Sequence, residues 1–352
     1  QGDRTVGIWE RPTAAFLDKL GEVFNFEPPR NHGFDTVRAI HAMHDGQGKV
    51  FFALGGNFLS ATPDTDFTTA ALGRCRLTAH VSKKLKRSLL ITGHRALILP
   101  CLGRTEADVQ STGPQFVSTE NSMGVVQLSH GSLEPASPEL LSEPQIVARL
   151  ARATLEHRTT VDWEELANNY DKIRDAIERV VPGFDDYNTR VHNPGGFYLP
   201  NPARKRVFDT ASGKAQFTVH QLPELKLGPD QFLMMTIRSH DQFNTSVYSS
   251  NDRYRGISRG RRGLVLNSKD IAAAGLRARQ VVDLVRHFEG EERIARRFEV
   301  VPYDIPQRCA ATYFPEANVL VPVRSVAEKS NTPASKSVVI SIRPATEEPK
   351  DT

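Results

Sequence analysis

A parallel, doubly wound, Rossmann-like α/β domain followed by a closed or nearly closed β-barrel is the fold this sequence predicts, and three observations predict it. In the first third, short apolar runs alternate with amphipathic segments across brief connections, as in strand-then-helix units wound on a parallel sheet. From Gly195 onward the texture changes to closely spaced short strands, the pattern of a barrel. A length of 352 residues exceeds what one hydrophobic core serves, so two or three domains are expected. We place an α/β domain at 1–145, a helical connector with a β excursion at 146–228, and the barrel at 229–352. With 39% apolar and 24% charged residues the chain is ordinary for a globular protein, which excludes wholesale disorder and fibrous repeats.

Each element follows from its residues. Pro12 suits a first helical turn, and Phe16, Leu17, Leu20, Val23 and Phe24 recur at helical spacing through 13–26. Asp35 caps a second helix carrying Val37, Ile40 and Met43, which Gly46 and Gly48 stop. The run Val50-Phe51-Phe52-Ala53-Leu54 reads as a strand buried on both faces. After Gly55-Gly56-Asn57, Pro63 and Asp64 lead into a helix through Ala70, Ala71 and Leu72; strands follow at 77–81 and 96–99, with the basic run Ser82-Lys83-Lys84-Leu85-Lys86-Arg87 between them. Between 103 and 144, Ser, Gly, Pro, Glu and Gln dominate, predicting long loops or a short surface excursion. Helices resume with Ile146, Val147, Leu150 and Leu155, and again over 161–181, where Trp163, Leu166, Ile173, Ile177 and Val180 form one stripe until Pro182-Gly183. Strands are expected at 196–199, 215–219, 232–237, 263–266, 281–285, 297–301, 311–314, 319–323 and 338–342. Segment 268–274 alone looks helical among them, with Ser268 or Asp270 at its start, and the tail after Arg343 is polar.

Lys and Arg number 45 against 41 Asp and Glu, a net charge of +4 that by itself calls for no nucleic-acid partner. No apolar run is long enough to span a bilayer. Cys75, Cys101 and Cys309 are far apart and form neither a disulfide framework nor a self-contained zinc or iron–sulfur site, so core thiols in a reducing, cytoplasmic setting are expected. His41 and His44 stand three apart on a helix without a third metal ligand nearby, and no metal site is assigned. The opening Gln1-Gly2-Asp3-Arg4-Thr5 has neither a starting Met nor an apolar h-region, and leads us to expect a longer polypeptide.

Ligands of open parallel sheets bind beyond the carboxyl ends of the strands. Gly55-Gly56-Asn57 occupies such a place, where glycines admit a phosphate or sugar close to the main chain and Asp64 can meet a ribose hydroxyl or base edge; a plain tight turn is the alternative. His80, Ser82 and the lysines Lys83, Lys84 and Lys86 form a second polar cluster on that rim, or simply a solvated surface. The most polar constellation is Arg238-Ser239-His240-Asp241-Gln242-Phe243-Asn244-Thr245, then Tyr248 and Asn251-Asp252-Arg253-Tyr254-Arg255-Gly256. Its guanidinium groups suit phosphate and its amides suit heterocycle edges. A His240–Asp241 catalytic pair is disfavoured, because adjacent residues of an extended strand point to opposite faces. Arg253, Arg255, Arg259, Arg261 and Arg262 also admit an RNA-contacting loop.

These strings, together with Phe58, Pro63-Asp64, Ala96-Leu97-Ile98-Leu99-Pro100, Tyr313-Phe314-Pro315-Glu316-Ala317-Asn318-Val319-Leu320 and Asn331-Thr332-Pro333-Ala334-Ser335-Lys336, resemble in order and spacing the C-terminal half of molybdopterin-dependent oxidoreductases, in particular formate dehydrogenase-like alpha subunits of the YdeP type. One departure is Ala96-Leu97, where related enzymes often show Ala-Asp. The resemblance implies a cradle for a molybdenum bis(molybdopterin guanine dinucleotide) cofactor, with the α/β domain binding one dinucleotide and a double-psi-like barrel closing over the pterins. It implies contacts to a guanosine diphosphate arm from Gly55, Gly56, Asn57, Ser60 and Asp64, with His80 and Ser82 at the neighbouring strand end. It implies pterin or phosphate contacts from Arg238, His240, Gln242, Asn244, Thr245, Asn318 and Lys336, while Asp252, Arg253 and Arg255 either join them or brace their loop. No catalytic residue falls in this chain: the resemblance puts the molybdenum ligand, and any 4Fe-4S cluster, in an N-terminal half that would be its partner. Two-electron chemistry on a small substrate, formate by analogy, follows. The alternatives are a guanine-nucleotide-binding module without molybdenum and an RNA-binding module.

Overall fold

The structure, a computed structural model, describes residues 12–345 apart from 223, 225, 246, 248, 259 and 329. The opening pentapeptide, Tyr248, Arg259 and the last residues of the polar tail lie outside the described residues. The helices are α1 (Ala14–Phe24), α2 (Thr36–His44), α3 (Phe58–Ala61), α4 (Thr65–Gly73), α5 (Glu143–Leu155), α6 (Trp163–Asn168), α7 (Tyr170–Val180), α8 (Tyr187–Val191) and α9 (Ser268–Ala273). The strands are β1 (Val50–Leu54), β2 (Leu77–Val81), β3 (Arg95–Leu99), β4 (Val109–Gln110), β5 (Gly113–Pro114), β6 (Val117–Glu120), β7 (Val125–Ser129), β8 (Phe197–Tyr198), β9 (Gln231–Ile237), β10 (Gly263–Leu266), β11 (Val281–Phe288), β12 (Glu291–Pro302), β13 (Cys309–Tyr313) and β14 (Val338–Pro344). They form two compact units, each discontinuous in sequence: Gln1–Gly33 with Pro100–Gln221, and Phe34–Leu99 with Leu222–Thr352. The parallel sheet and the barrel thus share one unit, where the sequence suggested consecutive domains.

In that shared unit β1, β2 and β3 make a parallel sheet in the order β1-β2-β3, with Val50 opposite Leu77 and Leu77 opposite Arg95. Asp35 caps α2 as expected, its Oδ1 accepting from the Arg38 amide at 2.9 Å. Val37, Ile40 and Met43 of α2 pack with Ala71 and Leu72 of α4, Leu59 and Cys75, against Phe51 of β1. Burial of each large apolar side chain in this layer contributes about 1.5–3 kcal/mol. One expectation fails: β1 is not buried on both faces. The helices cover the side of Phe51, so Val50, Phe52 and Leu54, which alternate to the other side, stay exposed.

The barrel closes through the order β10-β12-β11-β14-β9-β13, with β13 paired back to β10. Met234, Leu264, Leu266, Val282, Leu284, Phe298, Val300, Val338 and Ile340 point inward and fill it. A β-bulge between Val282 and Leu284 lets the buried Asp283 accept from the Arg297 amide at 2.9 Å and from Arg296 Nη1 at 3.3 Å. Three predicted strands are corrected. Residues 215–219 form no regular secondary structure, with Phe217 and Val219 almost fully exposed. Segment 319–323 begins inside a 3₁₀ turn, Asn318–Leu320, and forms no strand. Strand β8 pairs with β7 in the other unit, so it is no part of the barrel. The cap of α9 is Asn267, whose Oδ1 accepts from the Lys269 amide at 2.8 Å, and not Ser268 or Asp270.

The other unit gathers Val126, Tyr187, Val191 and Phe197 into its core. The stripe expected over 161–181 is broken into α6 and α7 at Asn169, which leaves helical geometry and accepts from the Asp171 amide at 3.0 Å to restart the chain as α7. Cys75 and Cys101 are buried and Cys309 is half-buried. Among the described residues no helix is long and apolar enough to cross a membrane.

Candidate functional site

At the carboxyl end of β1, Gly55 and Gly56 take φ values of +69° and +65°, a left-handed turn that L side chains resist. The space where a Gly56 side chain would project is open. Asn57 ends this turn and joins three elements: its Oδ1 accepts from Ser88 Oγ at 2.6 Å, and its Nδ2 donates to the Thr245 carbonyl at 3.1 Å. The strand-end turn of the sheet and the polar loop of the barrel, which the resemblance gives to one cofactor, touch directly. Lys86 donates from Nζ to the Gly56 carbonyl.

His80, at the end of β2, lines the small cleft made with Gly55, Gly56, Asn57, Ser82 and Ser88. Its Nε2 is buried without a hydrogen-bond partner among the described residues, and its ring leans on Phe51 at 5.7 Å. Burial, and then the charge of Lys86, lower its pKa below the usual imidazole value. A histidine kept neutral by the fold binds its proton more readily when unfolded. Stability is therefore fully present above the unfolded value of about 6.5 and declines as pH falls below it. Melting of the wild type is expected to drop between about pH 7.5 and pH 5.5, and His80→Gln is expected to flatten that part of the profile. An unchanged slope in the variant would assign the pH response elsewhere.

On the barrel side Arg238 and His240 are exposed, the latter's ring tilted at 41° against Tyr254 with 3.9 Å between ring centres. Lys336 is exposed and donates to the Thr236 carbonyl; partial burial and then the nearby Arg238 charge lower its pKa. Asn244 exposes its side chain at a left-handed φ of +44°. Gln242, expected to meet a pterin, is instead consumed by the loop. Its Oε1 accepts from the Ser239 amide at 2.9 Å and from Arg261 Nη2 at 3.0 Å, while its Nε2 donates to the carbonyls of Asn244 and Phe314. Thr245 is buried and offers its carbonyl to Asn57. Asp252 braces the same region: Tyr313 donates to it at 2.8 Å and Arg255 at 2.5 Å. Although burial raises its pKa, these donors hold the carboxyl below the ordinary range.

Two further expected ligands prove to be structural ties. Asp64 is buried, and Arg293 grips it with Nη1 and Nη2 at 2.8 Å each while the Val323 amide donates at 3.0 Å, so its oxygens are not offered to a ribose. Asn318 donates to the carbonyls of Ser60 and Thr62 at 2.8 and 3.0 Å, which leaves Ser60 as part of the same tie. Ser82 turns its hydroxyl to the Lys84 carbonyl. His41 and His44 rest against the Phe67 ring.

Sequence reasoning missed Arg293, Ser88 and the Arg261–Glu316 pair. Arg261 reaches Glu316 at 2.7 Å and the Phe314 carbonyl at 2.8 Å, inside rather than on the basic loop. Only the Gly-Gly turn signalled the place where Ser88 and Asn57 meet. Arg255 and Arg262 of the arginine loop, together with Arg279 and Arg297, line a groove of about 840 Å³ on the barrel.

A parallel α/β layer joined to a closed six-strand barrel is the class of protein these features define. That fold is shared with acetylene hydratase from Pelobacter acetylenicus, at a TM-score of 0.60 and 13% identity over 94% of this chain and 50% of that one. In sequence the chain is 50% identical over 350 residues to an uncharacterized oxidoreductase of Mycobacterium tuberculosis and 39% identical over 353 residues to protein YdeP of Escherichia coli K12. Each match takes in 98% of this chain but 45% and 46% of those proteins, so the chain spans about half the length of the curated relatives it matches. No family model matches it.

Proposed function

We propose that this chain is the cofactor-cradling half of a molybdenum oxidoreductase, holding a bis(molybdopterin guanine dinucleotide) group between a Rossmann-like sheet end and a double-psi-like barrel. The observation that carries the reading is the bond from Asn57 to the Thr245 carbonyl, which sets the Gly55–Gly56 turn against the loop beginning at Arg238. The residues fit such a group as a rim. The unpartnered His80 Nε2, the open space over Gly56, and the exposed Arg238, His240 and Lys336 suit a ligand bearing pyrophosphates and hydrogen-bonding heterocycles. Asp64, Gln242 and Asn318 leave the list of direct contacts and position the rim instead.

When bound, the group supplies two-electron redox chemistry at its metal. This chain's own residues anchor and orient it. Arg238 and Lys336 neutralise phosphate charge, and His80, neutral in the fold, offers one hydrogen bond without adding charge. The reading assigns the metal ligand and any iron–sulfur cluster to the part of the relatives outside this chain. Oxidoreductase activity in the cytoplasm, with formate as the first substrate to assay, completes the proposal; the names of the mycobacterial relatives support its redox character.

Arg238→Ala tests it. In a full-length polypeptide containing this chain, losing one charge-assisted phosphate contact of about 1.5–3 kcal/mol is expected to weaken cofactor retention about 10- to 100-fold. Metal and pterin content after gel filtration measures this, and melting checks that the fold survives. Undiminished retention would remove Arg238 from the rim.

A further inference from the structure

On the side away from its helices the parallel sheet leaves the apolar side chains of its two outer strands exposed. Strand registry places Val50, Phe52 and Leu54 of β1 in line with Leu77, Ala79 and Val81 of β2 and with Arg95, Leu97 and Leu99 of β3. On this face Val50 is 63% exposed, Phe52 37%, Leu54 39%, Leu97 49% and Leu99 40%, with Ala79 and Val81 of the central β2 buried between the two exposed outer strands, while α2, α3 and α4 pack on the opposite side with Phe51. Strand β3 is exposed along its whole length and pairs only with β2 among the described strands. Parallel sheets ordinarily have both faces covered, because their strands carry too much apolar surface to face water. Contiguous exposed apolar patches with an open strand edge mark contact surfaces.

We propose that this face, with the free edge of β3, is the seat of the remaining length of the polypeptide, the part of the relatives that this chain does not match, which lays an apolar layer on Phe52, Leu54, Leu97 and Leu99. Its size argues for that occupant over a second copy. The match takes in 98% of this chain and only 45% of the mycobacterial relative, so more than half of that protein lies elsewhere and is large enough to supply the missing layer. The inference rests on the reading of this chain as half of a larger enzyme, and deepens it by naming the surface through which the halves meet.

The test co-expresses this chain with the portion of the mycobacterial relative outside the match, without added cofactor, and follows hydrogen exchange. Co-purification is expected, with exchange of residues 50–54 and 95–99 slowed about ten-fold or more relative to the chain alone. The double substitution Phe52→Arg with Leu97→Arg is expected to abolish co-purification. A single Leu99→Gln, milder to the fold, is expected to weaken it. Failure to co-purify, unchanged exchange on the two strands, or co-purification indifferent to the substitutions would overturn the proposal. Concentration-dependent protection of the chain by itself would overturn it in favour of a second copy. Metal and pterin content, measured separately, decides the cofactor reading: protected strands in a complex that cannot be loaded would defeat the cofactor and leave this surface standing.

Discussion

Arg293→Ala is expected to destabilise the unit that holds the sheet and the barrel by about 3–5 kcal/mol, because it strands a buried carboxylate. Asp64 is 2% exposed, sits at the start of α4 with a left-handed φ of +52°, and receives both Arg293 Nη atoms. Its remaining donor, the Val323 amide, cannot compensate the charge alone. The pair joins segments 229 residues apart, so its loss should also loosen the end of β1 and α3 relative to β12. Asp64→Asn removes the charge while keeping an acceptor for Val323, and is expected to cost less. Urea unfolding of the three proteins measures the difference. A cost below about 1 kcal/mol, the scale of an exposed ion pair, would show that the contact is not the tie described.

Arg261→Ala carries an expected loss of similar size, about 3–5 kcal/mol, for a different reason. Its guanidinium serves Glu316, Ser239, Gln242 and the Phe314 carbonyl at once, and it is nearly buried along with Glu316. Removing it takes its charge-assisted bonds from the largely buried Glu316 and one donor each from Gln242 and the Phe314 carbonyl, next to the loop 238–245 where the rim residues stand. Arg261→Lys keeps the charge but lacks the planar fork, so it should recover only a minor part. Unfolding combined with hydrogen exchange over 238–245 separates the two effects: the account expects the loop to exchange faster in both variants. Full rescue by lysine would reduce the role of Arg261 to charge alone.

Local signals made the α/β-plus-barrel outline legible. The apolar runs that became β1 and β2, the Asp35 cap and the dense strands that close the barrel all depend on neighbours in sequence. Segment 215–219 shows the limit. Ala215, Phe217 and Val219 alternate as a strand should, but alternation does not supply a partner strand. The site was legible in the same measure. The Gly55–Gly56 turn and the polar loop after β9 declared themselves by composition, whereas the division of labour within them did not. Nothing local tells that Asp64 meets Arg293, or that Gln242 is spent on its own loop, since these partners are brought together only by the fold. Buried ties and open ligand contacts draw on the same residue types, and burial alone distinguishes them.

Metal and pterin analysis of the unmutated full-length polypeptide, expressed under conditions that load molybdenum enzymes, puts the cradle to its most direct trial. Molybdenum and pterin travelling together with the protein through purification is the predicted result. A folded polypeptide, with the Asn57–Thr245 contact intact, that carries neither would contradict it.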